Sequence, residues 1–401
     1  MNIGIIWENI EVGGVGTHLE ILLNNKKFKN CKFTIFTNKN NIAYARIKNR
    51  LNLKNTSFVL YKSLNVFIFR NKILQSFYFL FQPILFLISI FQFYKLLKKF
   101  EFDILLGNCG GYGSFRSEMA AIIAAHFLRF SNKILLIHHS FTRPILWNNL
   151  LKTTNYILRN FVDSFIFVSN AVKNDIKKNT CLLNNSKKIS IIHNGIDIKD
   201  FSKNNKQLNK VFKKGKGTLK IGMISRVEEY KGHMDLINCY HELPSQIKNK
   251  ISIYFIGKSS KKFKDKILEK IKKFNLKRIY FTGFLNYESS AIAKQLDLLV
   301  SLTKDFEGFG LTLAEALSVK TPVLSTKVGG VIEFLNKKNS TLIDANNKKA
   351  LDFAIKDFVN NEKKWKKKAL IGKREIHKHF NSNIMAKNYY IHFNKFVNNK
   401  I

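Results

Sequence analysis

"DLLVSLTKDFEGFGLTLAEAL", residues 297–317, contains one complete strand–loop–helix unit. Its first six residues form a short apolar run, which is typical of a strand buried in a parallel sheet. A loop with Gly308 and Gly310 follows, and the last seven residues have a helix-forming composition. Glu307 and Glu315 lie on either side of the expected helix start. Because open parallel sheets bind ligands at the carboxyl ends of their strands, this loop is a candidate binding site.

The same alternation of short apolar runs and helix-like segments extends along most of the chain. In the second half the other runs are "KIGMIS" (220–225), "ISIYFIG" (251–257), "RIYFTG" (278–283), "PVLST" (322–326) and "STLID" (340–344). In the first half they are "NIGIIW" (2–7), "KFTIFT" (32–37), "SFVLY" (57–61), "FDILLG" (102–107), "KILLIHH" (133–139), "SFIFVS" (164–169) and "ISIIHNG" (189–195). This pattern predicts an α/β protein with two doubly wound, Rossmann-like domains.

The length of 401 residues favours two or three domains. A polar, Lys/Asn-rich stretch at 198–218 has Gly215-x-Gly217 near its end and predicts an interdomain linker. We therefore expect an N-terminal domain at 1–197, a C-terminal domain at 219–375, and a closing helix at 376–401.

The chain is strongly basic, with 68 Lys and Arg against 27 Asp and Glu, a formal net charge of +41. Such a charge favours nucleic acid, an anionic membrane surface or phosphorylated ligands as partners. The alternative is a base-composition bias of the genome, because Lys accompanies abundant Asn, Ile and Phe. The N-terminus lacks the basic and apolar regions of a secretory signal, and the four cysteines form no C-x-x-C pair, so we expect a cytoplasmic protein.

One segment is apolar enough to concern a membrane. Residues 77–94 are almost uncharged and lie within an apolar helix expected at about 64–99. Polar residues dilute the segment, and a strand-like run follows at once. We expect a helix that is buried or dips into a membrane surface, with a transmembrane span as the alternative.

Two loops of the second half carry charges that fit an anionic ligand. In "RVEEYKGH", Arg226 and Lys231 lie five positions apart across a strand-to-helix connection and could converge on a diphosphate. The alternative is a pair of solvated charges. In the loop after the apolar run at 297–302, the N–H groups of Phe309, Gly310 and Leu311 would form a helix start that attracts anions. The alternative for the two glutamates there is a helix-capping carboxylate and an exposed helical side chain.

Candidate site residues of the first half also lie at or after the ends of candidate strands. In "ENIEVGGVGTHLE", Gly14 and Gly16 adjoin a helix expected to begin near Val15, where backbone amides could approach a phosphate; the alternative is a tight turn. His138 and His139 end the run at 133–139, and because adjacent strand residues face opposite ways, we expect only one to face a ligand. We expect no metal site, since no D-x-D pair occurs and no third ligand stands at a suitable spacing.

Taken in order, these loops resemble the family-4 glycosyltransferases, retaining enzymes with the GT-B fold, in which a cleft lies between two Rossmann-like domains. The matching series covers residue 13 to about 330, and its most specific part is the Glu-x7-Glu pattern. The series is "GGVGTH", the two strand-end histidines, "VSNAV", "HNGID", "SRVEEYKGH", "FTGF" and "FEGFGLTLAEAL".

The resemblance implies a role for each matching position in the second half. Glu315 would bind the ribose hydroxyls of a nucleotide-sugar donor, and Arg226 and Lys231 would hold its diphosphate. Glu307 would act on the transferred sugar, together with the amides of the residues that follow it, Phe309, Gly310 and Leu311.

For the first half, the resemblance implies that Gly14 and Gly16 approach the diphosphate and the acceptor. Either His138 or His139 would lie near the transferred sugar. We expect acceptor contacts in "GNCGGYGSFRSE" (107–118).

The implied activity is a metal-independent, retaining hexosyl transfer without a cofactor. The donor would be a UDP- or GDP-sugar, and the acceptor a lipid-linked or oligosaccharide intermediate of bacterial surface polysaccharide, such as O-antigen, lipopolysaccharide or capsule. The partners would include the anionic inner face of the plasma membrane but no nucleic acid. The alternatives are a sugar-nucleotide epimerase or hydrolase on a related fold, and a basic non-enzymatic protein that binds membrane or nucleic acid.

Overall fold

The computed structural model describes residues 1–8, 13–51, 53–64, 78, 80–111, 116–140, 148–180, 182–183, 188–198, 206–215 and 217–398. The chain forms two compact units. One comprises Met1–Gly195 with Ser382–Ile401, and the other comprises Ile196–Asn381.

The first unit contains a seven-stranded sheet in the order β3-β2-β1-β4-β5-β6-β7, with every pair parallel. Its strands are β1 Asn2–Ile6, β2 Lys32–Asn38, β3 Thr56–Tyr61, β4 Ile104–Cys109, β5 Lys133–Ile137, β6 Ser164–Phe167 and β7 Ile189–Ile191. Its helices before the second unit are α1 Gly14–Leu23, α2 Ala43–Arg50, α3 Gln82–Leu97, α4 Arg116–Phe127, α5 Asn148–Phe161 and α6 Asn170–Asn179.

The second unit contains a six-stranded sheet in the order β10-β9-β8-β11-β12-β13, again fully parallel. Its strands are β8 Leu219–Ile224, β9 Ile251–Ile256, β10 Ile279–Gly283, β11 Leu298–Ser301, β12 Val323–Thr326 and β13 Thr341–Ile343. Its helices are α7 Lys206–Val211, α8 His233–Glu242, α9 Ser245–Lys248, α10 Lys261–Lys273, α11 Ser289–Ala293, α12 Leu311–Ser318, α13 Lys348–Asn360 and α14 Glu362–His379, and α15 Ser382–Val397 then returns to the first unit.

The predicted α/β class with two doubly wound sheets is confirmed. Each apolar run that the sequence predicted as a strand contains one, because a strand covered by helices on both faces needs apolar side chains throughout. In both sheets the strand order reverses next to the first strand of the unit, between β1 and β4 and between β8 and β11. Loops leaving such a switch point diverge to opposite faces of the sheet, which places a ligand crevice there.

The expected apolar helix is described over Gln82–Leu97 as α3, whereas residues 65–77 and 79 lie outside the described residues. The helix packs along α4. Within the described part of the chain, no helix has the length and apolar character needed to cross a bilayer.

The segment expected as a linker is more ordered than its polar composition suggests. In its described part, Leu208 and Phe212 are 1% and 3% exposed. Their i, i+4 spacing places both on one face of the turn, and the Phe212 ring lies 5.0 Å from that of Tyr254 on β9. The described residues 206–215 of this segment therefore pack as part of the second unit.

The expected closing helix at 376–401 is two helices in the structure. Helix α14 ends at His379, and α15 begins at Ser382. Helix α15 buries Tyr389 and Phe393 in the first unit, and the two ring nitrogens of its His392 lie 3.0 Å from the hydroxyls of Ser164 and Ser190. Apolar burial and these polar contacts explain why the chain crosses back after the second unit.

Replacement of Phe393 by Ala should lower the free energy of unfolding by about 3–5 kcal/mol, because it leaves a cavity against Phe28 and Tyr389. Urea unfolding of the full chain measures the change. Phe353→Ala is the matched control, since Phe353 is 71% exposed and its loss should have little effect. Equal effects of the two substitutions would contradict the docking of α15.

Candidate functional site

The loop after β8 carries both cations that the sequence selected. Arg226 contacts the carboxylate of Glu228 at 3.1 Å and donates to the Tyr230 hydroxyl at 3.0 Å. Lys231 ends a short 3-10 turn and is followed by Gly232, which has φ 76°. The two cations thus lie on one loop at the carboxyl edge of the sheet.

Gly232 allows this loop to lie directly on the end of β11. A Cβ at this position would stand 2.4 Å from the carbonyl oxygen of Leu302. The backbone of Lys304 then donates to the Tyr230 carbonyl at 2.8 Å. The loops after β8 and β11, on the two sides of the switch point, are therefore in contact.

An ion pair joins the same two loops. The Lys231 Nζ atom lies 2.8 Å from Glu307 Oε2 and 3.4 Å from the Thr303 hydroxyl, which itself lies 3.5 Å from Glu307 Oε2. The side chains of Lys231 and Glu307 are only 14% and 22% exposed. Partial burial reduces screening by water, so the Coulomb attraction within this pair is stronger than in a fully exposed pair.

The loop after β12 completes this arrangement, and the sequence analysis did not select it. Gly329 has φ 60°, and a Cβ there would stand 2.0 Å from the carbonyl oxygen of Glu307. Gly330 donates its N–H to that same carbonyl at 2.7 Å. The signal in the sequence is the Gly-Gly pair shortly after the strand at 322–326. Its role could not be inferred from the sequence, because it depends on contact with Glu307 in another loop.

Helix α12 begins at Leu311, just after the start that the sequence predicted near Gly308 to Gly310, so Phe309 precedes the helix. Gly310 precedes it with φ 91° and ψ 49°, a left-handed conformation that favours glycine. The first amides of a helix have no intrahelical acceptor, so this end attracts anions. Phe309 is anchored by buried ring contacts with Phe334 at 4.9 Å and Phe380 at 5.9 Å, which fix the helix start.

Glu315 lies in the second turn of α12 and is 8% exposed, so it is not the exposed helical side chain of the alternative interpretation.

His233 is a further residue that sequence reasoning missed. It starts α8, is fully buried, and approaches the Ser225 hydroxyl at 3.5 Å and the Glu228 carbonyl at 3.4 Å. Burial lowers the pKa of His233 to about 4. A neutral His233 therefore holds the loop of Arg226 in place without adding charge at neutral pH.

In the first unit, the glycine loop leads directly into α1. The helix begins at Gly14, and Gly13 precedes it in an extended conformation. A Cβ on Gly16 would meet the side chains of Trp7 and Ile47 at 3.5 Å. Gly14 and Gly16 thus belong to the first turn of α1, with its amides, rather than to a preceding loop.

The two strand-end histidines occupy different environments. His138 is 7% exposed, its Nε2 lies 2.8 Å from the Asn108 side-chain oxygen, and its ring lies 4.7 Å from that of buried His18. Burial, reinforced by the neighbouring histidines, holds the pKa of His138 well below its usual range. His139 is half-buried, and its Nδ1 lies 3.0 Å from the Ser140 hydroxyl.

A pair of carboxyl groups lies beside the switch point of the first unit. Glu8 follows β1, and its N–H donates at 3.3 Å to the Oε1 atom of Glu118 on α4. Burial, with a smaller effect of Glu8, raises the pKa of Glu118 to about 8. Burial also raises the pKa of Glu8. Glu118 ends the stretch 107–118 expected to contact the acceptor, of which residues 112–115 lie outside the described residues.

Within the described residues, no group of three or more His, Cys, Asp or Glu side chains is arranged to hold a metal ion.

Gly329→Ala should lower the free energy of unfolding by about 2 kcal/mol or more, because both the left-handed backbone and the Glu307 carbonyl oppose a Cβ. Urea unfolding measures the loss. In the matched variant Gly13→Ala, the new Cβ meets no atom within 4 Å, so we expect only the loss of about 0.5–1 kcal/mol that a poorer N-cap residue causes. A Gly329→Ala protein as stable as the wild type would show that the close contact with Glu307 is wrong.

Glu118→Gln should stabilise the protein near neutral pH. The folded state retains the Glu118 proton up to about pH 8, whereas the unfolded chain releases it near the ordinary pKa of 4.5, so wild-type stability falls as the pH rises between these values. A permanently neutral Gln removes that loss, on the order of 3 kcal/mol at about pH 7.5 and close to zero at pH 4.5. Urea unfolding at both pH values tests this.

Glu269→Gln, at an exposed position of α10, is the control and should change stability at neither pH. A Glu118→Gln effect of the same size at both pH values would contradict the raised pKa.

Comparison with known proteins assigns both halves of the chain. The protein-family model described as "Glycosyltransferase Family 4" matches residues 12–200, and the family model described as "Glycosyl transferases group 1" matches residues 204–374. An uncharacterised glycosyltransferase of Methanocaldococcus jannaschii is 25% identical over 331 residues, which cover 79% of this chain and 81% of the relative. The poly(ribitol-phosphate) α-N-acetylglucosaminyltransferase of Staphylococcus aureus is 31% identical over 145 residues, 35% of this chain and 28% of that protein.

Among solved structures, HepE of Anabaena in complex with UDP and glucose superimposes with a TM-score of 0.75 at 16% identity, covering 98% of this chain and 100% of HepE. This similarity shows the GT-B fold. The family matches favour a transferase over the epimerase and over a non-enzymatic basic protein. The chain belongs to the family-4 glycosyltransferases of the GT-B fold.

Proposed function

We propose that this glycosyltransferase moves a hexosyl group from a UDP-sugar to a lipid-linked or oligosaccharide acceptor, with retention of configuration. The observation that carries the proposal is the Lys231–Glu307 contact of 2.8 Å between the loops after β8 and β11. It places a cation and a carboxylate together at the switch point, where doubly wound sheets bind ligands.

Charge development in the reaction explains the cations. As the bond to the sugar breaks, negative charge gathers on the departing diphosphate, and groups that bind this charge stabilise the transition state. In the proposal, Lys231 and Arg226 fill this role. The backbone amide of Leu311 at the start of α12 assists them, together with the amides of Phe309 and Gly310, which precede the helix. Because these groups neutralise the diphosphate, we propose that transfer is metal-independent.

The two carboxylates of the second unit act on opposite ends of the donor in this proposal. Glu307, oriented by Lys231, accepts hydrogen bonds from the transferred sugar and stabilises positive charge on it. Glu315 accepts hydrogen bonds from the ribose hydroxyls, since a carboxylate can accept from two hydroxyls at once.

For retention, we propose that the acceptor hydroxyl attacks from the side that the diphosphate leaves. A departing phosphate oxygen accepts the hydroxyl proton, so the chemistry does not require Glu307 to form a covalent bond with the sugar.

In the first unit, we propose that His139 acts near the transferred sugar and that His138 supports the site. His139 is half-buried and so accessible to a ligand, whereas His138 is buried against Asn108 and His18. The amides near Gly14 and Gly16 are proposed to approach the diphosphate and the acceptor.

The nature of the substrates follows from similarity. The fold relative from Anabaena binds UDP, which supports a uridine nucleotide as donor. The Staphylococcus aureus relative acts on poly(ribitol-phosphate), which supports a surface polysaccharide or related polymer as the product. We propose a cytoplasmic enzyme of bacterial surface polysaccharide synthesis, of the O-antigen, lipopolysaccharide or capsule type, that works at the inner membrane surface.

Lys231→Ala and Glu315→Gln should each weaken UDP binding by about tenfold to a hundredfold, because each removes charge-assisted hydrogen bonds. Isothermal titration calorimetry with UDP measures the dissociation constants. Lys366→Ala is the matched control, because it removes an exposed ion pair with Glu362 on α14 and should leave UDP binding unchanged. Lack of UDP binding by the wild type, or unchanged affinity of both variants, would refute the proposed donor site.

A further inference from the structure

Helix α3 buries a mixed face of two polar and two apolar side chains. Gln82 and Ser89 are 2% and 0% exposed, beside buried Phe93 and Leu97. The Ser89 hydroxyl donates to the Leu85 carbonyl at 2.8 Å, within the helix. Helix α3 packs along α4 on this buried side. A surface helix of a globular protein turns its apolar face to the core, whereas α3 fully buries only Phe93 and Leu97 of its large apolar side chains.

The outer side of α3 is apolar along its length. Its side chains recur every three or four residues, which places them on one face of the helix. We name this face the α3 stripe, and its exposed fractions are Leu80 62%, Phe81 53%, Ile84 54%, Leu87 66%, Ile88 47%, Phe91 57% and Tyr94 38%. Seven exposed apolar side chains that adjoin one another along one helix face form a candidate interaction surface, unlike single exposed apolar residues.

Positive charge follows the α3 stripe at the C-terminal end of the helix. Lys95, Lys98 and Lys99 are exposed, and the Nζ atom of Lys95 lies 4.3 Å from the centre of the Phe91 ring. No Asp or Glu occurs between residues 80 and 99. The surface therefore combines an apolar face with cations of one sign.

We propose that the α3 stripe inserts into the headgroup region of an anionic lipid bilayer, with α3 parallel to the membrane plane. Its apolar side chains then leave water by entering the boundary of the acyl chains, and Lys95, Lys98 and Lys99 contact anionic headgroups. This inference deepens the proposed function, since it identifies the surface by which the enzyme reaches a lipid-linked acceptor.

Charge and area favour lipid over a second copy of the chain. The fifteen residues from Leu80 to Tyr94 span roughly 22 Å at 1.5 Å per residue, and a stripe about 10 Å wide covers roughly 220 Å². A stable protein–protein interface buries about 800 Å² on each partner. A formal charge of +41 on each copy also opposes self-association, whereas it attracts an anionic surface.

Vesicle co-sedimentation tests the proposal on the full chain. The probe is a set of phosphatidylcholine vesicles with or without phosphatidylglycerol. The wild type should bind the anionic vesicles at least about tenfold more tightly than the neutral ones, and its binding should weaken as salt is raised. The double variant Leu87→Glu/Phe91→Glu should bind anionic vesicles at least about tenfold more weakly, because it places two charges in the apolar face.

Phe353→Glu is the matched control, because it charges a 71% exposed phenylalanine of the second unit and should bind vesicles like the wild type. UDP binding should be unchanged in all these variants, so a failure of membrane binding is distinguished from a failure of the proposed donor site. Equal vesicle binding by the wild type and the double variant would overturn the proposal. A wild-type dimer in analytical ultracentrifugation that the double variant dissociates would also overturn it, by assigning the stripe to self-association.

Discussion

The ion pair between Lys231 and Glu307 is the contact on which the candidate donor site depends. It joins two loops from adjacent strands whose following helices diverge, so it spans the switch point of the second sheet. Glycine makes the contact possible on both sides, since Gly232 lies against Leu302 and Gly329 against the Glu307 backbone. The geometry of the site therefore depends on the absence of a side chain at Gly232 and Gly329 as much as on the charged side chains.

The two units place different electrostatics at equivalent positions of the same topology. The second unit presents cations and a helix start at its switch point, which suits a diphosphate. The first unit places buried groups there whose pKa shifts favour the uncharged form of each side chain at neutral pH, a raised pKa for Glu118 and a lowered pKa for His138. Such a neutral environment fits the proposed division of work, in which charge develops on the donor while the acceptor contributes a hydroxyl.

Much of the fold was predictable because the relevant signal is local. Each strand of both sheets is an apolar run of a few residues, and the glycine at the start of α12 precedes its helix directly. The signal was weaker in the expected linker, because its polar composition masks the helical spacing of the two buried apolar residues Leu208 and Phe212. It was also weaker for α15, because the contacts of Phe393 join it to residues more than three hundred positions earlier.

The sequence by itself determined the α/β class, the two doubly wound sheets and the residues Lys231, Glu307 and Glu315 as candidates, since strand periodicity and loop motifs are properties of neighbouring residues. Only the tertiary structure decided that Gly329 supports Glu307, that His138 is buried while His139 is partly exposed, and that α3 turns its apolar side outward. These outcomes depend on which surfaces pack together, and packing joins residues that are distant in the chain.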